Sequence, residues 1–448
     1  MIRLTYFALL AAMGSLSGDD GAAHWMQANA EPISPLVIGG SAAELAPLDN
    51  VVTGARVVAF GEGTHNSHEL WSFRNRLFAY LVEHRGFTAI AAETGYGPSI
   101  ATDRYVMGED VSPALAARGV FSWSRSTFDE NLELVQWMRA YNGRPTTKRK
   151  VRFYGLEMAG CMRADGQPIV DAALSYVNRM DSAQGAELRA RFAPLLTSFS
   201  REGYGSLPET QRRDLSVAAQ DLVSLFERWQ VVWIDKTSSD DYFRAYRLAV
   251  AVRQLAAHFR MGNRGRDIAA AETLRWVLDR EGRDGRVFIF AHNGHVAKSR
   301  EVSSAGTPIR SSLGEFTKSY LGDQYVTIGS LYDSGSARDI LGSFHALNAT
   351  YAVPASKSGS LNAVVASLKG DQFLINLHRK AMPDAVRDWL SVPRHVRNIN
   401  SLEGGDDMNA IAAFDALYFV RMLSPQRLAA DQDAGPDPFR CEPGTPRV

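Results

Sequence analysis

Cysteine is nearly absent from this chain, whose 448 residues include only Cys161 and Cys441. The two cysteines do not form a Cys-x-x-Cys motif, which excludes a zinc or iron–sulfur site built on thiolate ligands. A disulfide between them is possible if the protein is exported, and two separate thiols are the alternative.

Long apolar runs and an excess of charge of one sign are absent as well. The apolar stretch Leu4 to Met13 is too short to cross a membrane as a helix, and no later segment is both long and apolar enough to do so. Lysine plus arginine and aspartate plus glutamate each number 49, so the net charge is near zero. Because no basic run could follow a phosphate backbone, we expect neither nucleic acid nor an anionic membrane as a partner.

Several common catalytic motifs are also missing. The chain has no Gly-x-Ser-x-Gly motif, which argues against a serine hydrolase of the α/β-hydrolase type. It has no Walker A loop and no Gly-x-Gly-x-x-Gly motif, which argues against nucleotide binding. His68-Glu69 is not followed by a histidine at the spacing of His-Glu-x-x-His. Direct attack by an activated water, with or without a metal ion, is the chemistry that remains.

The N-terminus has features of an export signal. Arg3 precedes the apolar stretch, and Ala28-Asn29-Ala30 matches an Ala-x-Ala cleavage site. We therefore interpret residues 1–30 as a signal peptide, which predicts a periplasmic or secreted protein. Asp19 and Asp20 interrupt the region before the cleavage site, so the alternative is a disordered leader on a cytoplasmic protein.

Apolar runs alternate with helical periodicities in an order typical of an α/β fold. Short apolar runs bounded by glycine or charge predict buried parallel strands, and three- and four-residue spacings predict helices. We expect a mainly parallel central sheet flanked by helices, with a helical insertion or cap where strand signals vanish. The predicted parts are a first section of the core at 31–165, the helical insertion at 166–285, a second section of the core at 286–428 and a flexible tail at 429–448.

Titratable side chains follow the ends of the predicted strands. The carboxyl ends of parallel strands meet at one edge of a sheet, which is where open α/β sheets bind ligands. We therefore expect these side chains to share one cleft. They are Glu62, His65, Glu93, Glu157, His292 and His295.

A histidine beside carboxylates is suited to acid–base chemistry near neutral pH. His65 lies three residues after Glu62, so this carboxylate can fix the tautomer of the imidazole and raise its basicity. Arg74, on the helix that follows, can hold a developing negative charge. Phe121 and Trp123 are candidates for an aromatic wall that faces the substrate, with burial in the core as the alternative.

The motifs at these strand ends resemble those of the erythromycin esterase family. The resemblance implies an α/β core with a helical portion and hydrolysis of an ester or lactone, with macrolides as substrates of its best-known members. It implies that His65 is the general base, and that no metal or other cofactor is required. It also implies that Glu62, Glu93, Arg74, His292 and His295 line the cleft. The motifs are Gly61-Glu62-Gly63-Thr64-His65 with Glu69, Ala92-Glu93-Thr94, Tyr154-Gly155-Leu156 and Ala291-His292-Asn293-Gly294-His295.

Two regions depart from the family pattern. Glu157 stands where the family usually has aspartate, so its carboxylate lies one methylene further out. Arg266-Asp267 resembles a family Arg-Asp motif, but Ala270 and Thr273 replace the methionine and asparagine usual downstream. The likeness in catalytic residues therefore does not identify the substrate of this protein. The residues that we assign to substrate binding are His295, Glu157, Phe121, Trp123 and Arg266.

Three functions follow as hypotheses. In the first, His65, oriented by Glu62, activates a water that Glu93 positions, and Arg74 or His292 stabilises the oxyanion of a small-molecule ester or lactone. In the second, the same glutamates and histidines bind a divalent metal that assists hydrolysis. In the third, the protein is a non-catalytic, envelope-associated homologue with a degenerate site. Metal content and activity on a panel of esters distinguish the three.

Overall fold

A computed structural model describes most of the chain. The described residues are 18–33, 38–40, 42–159, 166–200, 203–262, 264–299, 301–302, 308–342, 345–378, 381–397 and 405–439. Cys161 and Cys441 lie outside them, so their pairing stays a prediction.

The described strands are β1 (Ala30–Pro32), β2 (Val57–Glu62), β3 (Ala89–Gly95), β4 (Arg152–Glu157), β5 (Val287–His292), β6 (Glu301–Val302), β7 (Pro308–Arg310), β8 (Tyr325–Arg338), β9 (Thr350–Val353), β10 (Gln372–Asn376), β11 (Arg394–Arg397), β12 (Gly405–Met408) and β13 (Ala416–Leu423). The described α-helices are α1 (Gly18–Ala28), α2 (Asp49–Val52), α3 (His68–Arg85), α4 (Tyr96–Val106), α5 (Pro113–Val120), α6 (Asp129–Gly143), α7 (Gln167–Met180), α8 (Ser182–Leu196), α9 (Glu209–Lys236), α10 (Ser239–Met261), α11 (Arg264–Glu281), α12 (Asn293–Val296), α13 (Leu313–Leu321), α14 (Leu361–Ala366), α15 (Asp384–Ser391) and α16 (Ala410–Ala413).

The central sheet has the strand order β1-β10-β13-β8-β2-β5-β3-β4, and β9 pairs with β8. The six strands from β13 to β4 run parallel, while β1, β10 and β9 are antiparallel to their neighbours. The prediction of a mainly parallel sheet flanked by helices is therefore confirmed. Two further pairs, β6 with β7 and β11 with β12, lie outside the main sheet.

Both faces of the sheet are buried, which explains the uninterrupted apolar runs of its central strands. Along β2, Val58 and Phe60 belong to one hydrophobic core, whereas Val57 and Ala59 belong to another. This alternation is the two-residue period of a strand, with successive side chains on opposite faces. The central strands therefore hold their carboxyl ends rigidly in place.

Helix α3 follows β2 and is flanked by Ser67 and Gly86. Ser67 precedes its first residue in an extended conformation, and Gly86 ends it in the left-handed region at φ 70°. Its apolar face, with Leu70, Phe73 and Leu77, is completely buried. Because glycine adopts a positive φ without a Cβ clash, Gly86 lets the chain turn sharply into β3.

The described residues of the range 166–285 contain α7 to α11 and no strand. Helices α7 to α10 enclose a hydrophobic core of their own. The ion pair of Arg152, on β4, with Asp240, on α10, at 3.0 Å links these helices to the sheet. The division of the chain into parts at these boundaries stays a prediction. Among the described residues, no helix combines the length and the apolarity needed to cross a bilayer.

The two ends of the described chain are held against the core. In α1, Trp25 and Met26 are buried, and Asp19 accepts a hydrogen bond of 2.8 Å from the indole of Trp389. Residues 18–28 of the predicted leader are thus helical, while residues 1–17 lie outside the described residues. Residues 429–439 of the predicted tail form neither helix nor strand but make hydrogen bonds to the loop at Thr127.

Candidate active site

The strands deliver their titratable side chains slightly differently from the prediction. Each strand extends further than expected, so that Glu62, Glu157 and His292 are the last residues of β2, β4 and β5. Strand β5 lies between β2 and β3, and His292 pairs in register with Glu62. The prediction that the carboxylates of Glu62 and Glu93 lie at the same edge is confirmed by the parallel pairing of β2 and β3 with β5.

Gly61 allows this edge to close tightly. A Cβ at this position would lie 2.4 Å from Oδ1 of Asn293 and 2.7 Å from Cγ2 of Val296. Asn293 in turn binds the main chain of Ser330 through both its Oδ1 and its Nδ2, at 3.1 and 2.8 Å. The short helix α12 is therefore fastened to both β2 and β8, and it holds the loop after β5 in place.

Glu62 and His65 form a hydrogen-bonded pair between Oε1 and Nδ1. The second carboxylate oxygen of Glu62 accepts a 3.0 Å hydrogen bond from the indole of Trp71. Burial lowers the pKa of His65, but the adjacent Glu62 carboxylate outweighs this, so the pKa of the imidazole is raised. When His65 is neutral, its proton lies on Nδ1 toward Glu62, and Nε2 has the lone pair of a base.

Glu93 is held as a carboxylate by three donors. Its Oε1 contacts Nη2 of Arg266 at 2.5 Å and Nε2 of His295 at 3.4 Å, while Oε2 accepts the backbone N–H of His292 at 2.8 Å. Burial raises the pKa of Glu93, but His295 and Arg266 outweigh it and hold the pKa well below the usual range. Glu93 therefore acts as a permanent negative charge at the site.

Arg266 connects Glu93 with Glu157. Its Nε lies 3.0 Å from Oε2 of Glu157, and its guanidinium stacks on Trp123 at 4.9 Å from the ring centre. The Arg266 side chain is 27% exposed, whereas both carboxylates are buried. Burial raises the pKa of Glu157, and Arg266 only partly opposes this.

His295 points away from the base. Its Nδ1 lies 2.7 Å from Oδ1 of Asp267, which also accepts the backbone N–H of Leu313 at 3.0 Å. Burial lowers the pKa of His295, but Asp267 and Glu93 outweigh it and raise the pKa to about 10. His295 is therefore an imidazolium at neutral pH, bonded on both sides to carboxylates.

His292 has the opposite electrostatic character. Burial and the neighbouring His65 hold its pKa well below the usual range, so its ring is neutral. Its Nδ1 accepts the backbone N–H of Gly294 at 3.2 Å, which places the ring proton on Nε2. This Nε2 is buried and has no hydrogen-bond partner among the described residues. The ring centre lies 5.9 Å from that of His65.

Arg74 lies behind the cleft. It is completely buried, and among the described residues its hydrogen bonds go to Asn75, Asn131 and the carbonyl of Glu130. Its guanidinium also lies over the rings of Trp71 and Phe290. Burial lowers its pKa to about 10, while Glu62 opposes the shift. Among these contacts, Arg74 therefore reaches the Glu62–His65 pair only through Trp71, whose indole binds Glu62.

The two aromatic candidates lie at the cluster. Phe121 is buried and packs its ring 5.1 Å from that of His65, and it also belongs to the hydrophobic core. Trp123 is half-buried and donates a 3.0 Å hydrogen bond to the carbonyl of Glu93. Phe121 is thus part of the core, as one of the two alternatives expected, and its contact with a substrate stays a prediction.

Glu62, His65 and Glu93 each offer an atom to a metal ion, with the three atoms within 4.8 Å of one another. The donor set is poorly suited to one, because Trp71 and His65 already bind the two oxygens of Glu62. Three N–H donors occupy the oxygens of Glu93. A cation would have to displace these partners.

The structure adds residues that the sequence did not indicate. Trp71 fixes Glu62 through its indole. Asp267, known from the sequence only as part of the Arg266-Asp267 motif, fixes His295. Gln426, far along the chain, donates a hydrogen bond through Nε2 to the carbonyl of His65. No local spacing in the sequence points to these contacts.

Comparisons with known proteins place this geometry in context. The sequence profile described as erythromycin esterase matches residues 82–422. The erythromycin esterase type II of Escherichia coli is 21% identical over 309 residues, which are 64% of this chain and 72% of that protein.

Two solved structures share the fold. One is a succinoglycan biosynthesis protein, with a TM-score of 0.76 and 22% identity over 93% of this chain and 100% of the other. The second is a mutant of the erythromycin esterase EreC in its open conformation, with a TM-score of 0.63 and 17% identity over 87% of this chain and 96% of the other.

Proposed function

We propose that this chain, which belongs to the erythromycin esterase family, hydrolyses carboxylic esters or lactones. The attacking group in this proposal is a water molecule that His65 activates. The observation that carries this proposal is the Glu62–His65 pair, which leaves Nε2 as a base. The raised pKa of His65 makes it a stronger base than a free imidazole.

The attack begins when Nε2 of His65 takes a proton from a water beside Glu93. The permanent negative charge of Glu93 favours the imidazolium that forms, as does that of Glu62. The hydroxide adds to the carbonyl carbon and gives a tetrahedral oxyanion. The imidazolium then returns its proton to the departing alkoxide, so the products are a carboxylic acid and an alcohol.

His292 supplies the donor for the oxyanion. Its Nε2–H is buried, has no partner among the described residues and belongs to a ring beside that of His65. A neutral donor suits this task, because it stabilises the developing charge without transferring its own proton to the substrate. Arg74 does not contact the oxyanion in this mechanism and acts only through its contact with Trp71.

The substrate class is set by the walls of the cleft. Trp123, which is half-buried, and the exposed part of Arg266 provide aromatic and cationic surface beside Glu93, while Phe121 is buried against His65. We propose a small-molecule ester or lactone as the substrate, with a macrolide ring as the first compound to test. Export to the periplasm or beyond, as the leader predicts, belongs to the same proposal.

The test is hydrolysis of erythromycin and of an ester panel by the purified protein and by His65→Ala, with and without a chelator. We expect turnover that survives the chelator and falls about 10²- to 10⁴-fold in the variant, as loss of a general base does. A folded His65→Ala variant with full activity would contradict the assignment. Turnover of simple esters without erythromycin would keep the mechanism and remove the macrolide.

Metal-assisted hydrolysis is the second candidate, since three ligand atoms converge within 4.8 Å. Metal analysis of the purified protein decides it. A stoichiometric divalent ion, with activity lost to chelator and restored by that ion, would replace the first mechanism.

A further inference from the structure

The chain after β13 runs across the back of the loop that carries the base. We call residues 424–432 the C-terminal strap and residues 63–67 the catalytic loop. The strap follows the range that the family profile matches, which ends at residue 422. The sequence predicts part of it to be a flexible tail, but the structure fastens it along its length.

The strap first binds the start of α3. The backbone N–H of His68 donates to the carbonyl of Ser424 at 2.9 Å, and the N–H of Ser424 donates to Oε2 of Glu69 at 2.9 Å. Further on, the N–H of Arg427 donates to Oε1 of Glu130 at 3.1 Å. The far end is bound by Gln432, as described below. The strap thus joins the start of α3 to α6 and to the loop before α6.

Gln426 is the point where the strap reaches the base itself. It is completely buried, and its Nε2 donates to the main-chain carbonyl of His65. The main-chain carbonyl of Gln426 accepts a 2.8 Å hydrogen bond from Nε of Arg338. The backbone N–H of Arg338 in turn donates to the main-chain carbonyl of Asn66 at 3.2 Å. The main-chain carbonyls of two successive loop residues are therefore held from outside the loop.

We propose that Gln426 is a positioning residue, which holds the main chain of His65 from the strap and thereby sets its imidazole against Glu62 for proton abstraction. The inference rests on the proposed function, because it assigns His65 as the base. The reason is geometric: the loop residues 63–67 form neither helix nor strand, so external contacts must fix their conformation. A misplacement of about 1 Å at a reacting group can lower a rate about 10²-fold.

Gln426→Met tests the proposal, since methionine keeps the side-chain length and removes the donor. Gln426→Leu is the second variant, because its apolar side chain likewise cannot donate to the carbonyl of His65. Gln432→Met is the matched control on the same strap. Gln432 makes hydrogen bonds of 2.9 and 2.8 Å to the main chain of Thr127 and of 2.8 Å to that of Ala429, away from His65.

We expect kcat to fall about 10- to 100-fold in both Gln426 variants, with KM within about threefold of wild type. Gln432→Met should keep kcat although it loses more hydrogen bonds, so a general loss of stability cannot explain the difference. Equal losses at the two positions, or wild-type kcat in a folded Gln426→Met, would overturn the inference.

A second measurement works without turnover. Histidine-labelled protein is titrated by NMR, and the signal missing from His65→Ala identifies His65. The charged and titratable groups facing this ring are Glu62, Glu93, Arg266 and His292. We expect the pKa of His65 to move down toward the ordinary histidine value in Gln426→Met, as its contact with Glu62 loosens, and to stay unchanged in Gln432→Met.

The two levels of failure are distinguishable. Full activity in His65→Ala removes the proposed function and, with it, the inference. Loss of activity in His65→Ala together with an unshifted His65 titration and normal kcat in Gln426→Met removes the inference alone.

Discussion

His292→Asn removes the donor proposed for the oxyanion with little other change. In the wild type, Nδ1 of His292 accepts the N–H of Gly294, which caps the start of α12. Asparagine places its Oδ1 near the position of Nδ1, so the cap is retained. Only the Nε2–H, which has no partner among the described residues, is lost. The free energy of unfolding of the variant should therefore lie within about 1 kcal/mol of that of the wild type.

The catalytic effect should be much larger than the effect on stability. A buried donor that meets a full negative charge only in the transition state is worth about 3 kcal/mol, or a factor of about 10²–10³ in kcat. KM should change little, because the contact is weak in the ground state. The assay is steady-state hydrolysis of the best ester of the panel, beside denaturant unfolding of both proteins.

His292→Gln is the matched control, since its Nε2–H₂ can reach toward the place of the lost donor. It should recover part of the rate. The pH profile provides a further check. The base must be neutral, and the pKa of His65 is raised, so kcat/KM should rise with pH on an acid limb above 6.5. That limb should be the same in His292→Asn, because His292 stays neutral. A folded His292→Asn with kcat within about threefold of wild type would refute the reasoning.

Three further predictions concern stability. The pKa of His295 is raised from 6.5 to about 10 in the folded protein. Its contribution to the free energy of unfolding is therefore fully present below pH 6.5 and is lost as the pH rises toward about 10. Asp267→Asn should flatten this pH dependence, which urea unfolding at neutral and alkaline pH measures. Gly61→Ala should lower the free energy of unfolding by about 1–3 kcal/mol, because the added Cβ clashes with Asn293. Gly21→Ala, in helix α1, should raise it by up to about 1 kcal/mol, because no atom lies within 4 Å of the added Cβ. Equal effects of the two changes in chemical denaturation would contradict the packing argument. A chain beginning at residue 31, as cleavage after Ala30 would produce, should unfold at a lower temperature than one beginning at residue 18. The reason is that it loses the buried Trp25 and Met26, each worth roughly 1.5–3 kcal/mol. Calorimetry compares the unfolding temperatures of the two chains.

The local sequence determined the secondary-structure elements of this protein. The apolar runs produce the buried strands because both faces of the sheet are covered, and Gly86 ends α3 in the left-handed conformation. A strand–helix–strand unit makes the strands parallel, so the sequence could bring Glu62 and Glu93 to one edge. His65 follows Glu62 by three residues, so local spacing was enough to bring the imidazole within reach of the carboxylate.

Tertiary structure decided the partners that come from far away. The insertion of β5 between β2 and β3 brings His292 into register with Glu62, and no local spacing contains that strand order. The same holds for the contact of Arg266 with Glu93 and for the hydrogen bond from Gln426, 361 residues after His65. Arg74 illustrates the converse, since helical periodicity placed it near the buried face but could not show whether it entered the cleft. Periodicity reports which face is buried, whereas the identity of a buried neighbour depends on how separate elements pack together.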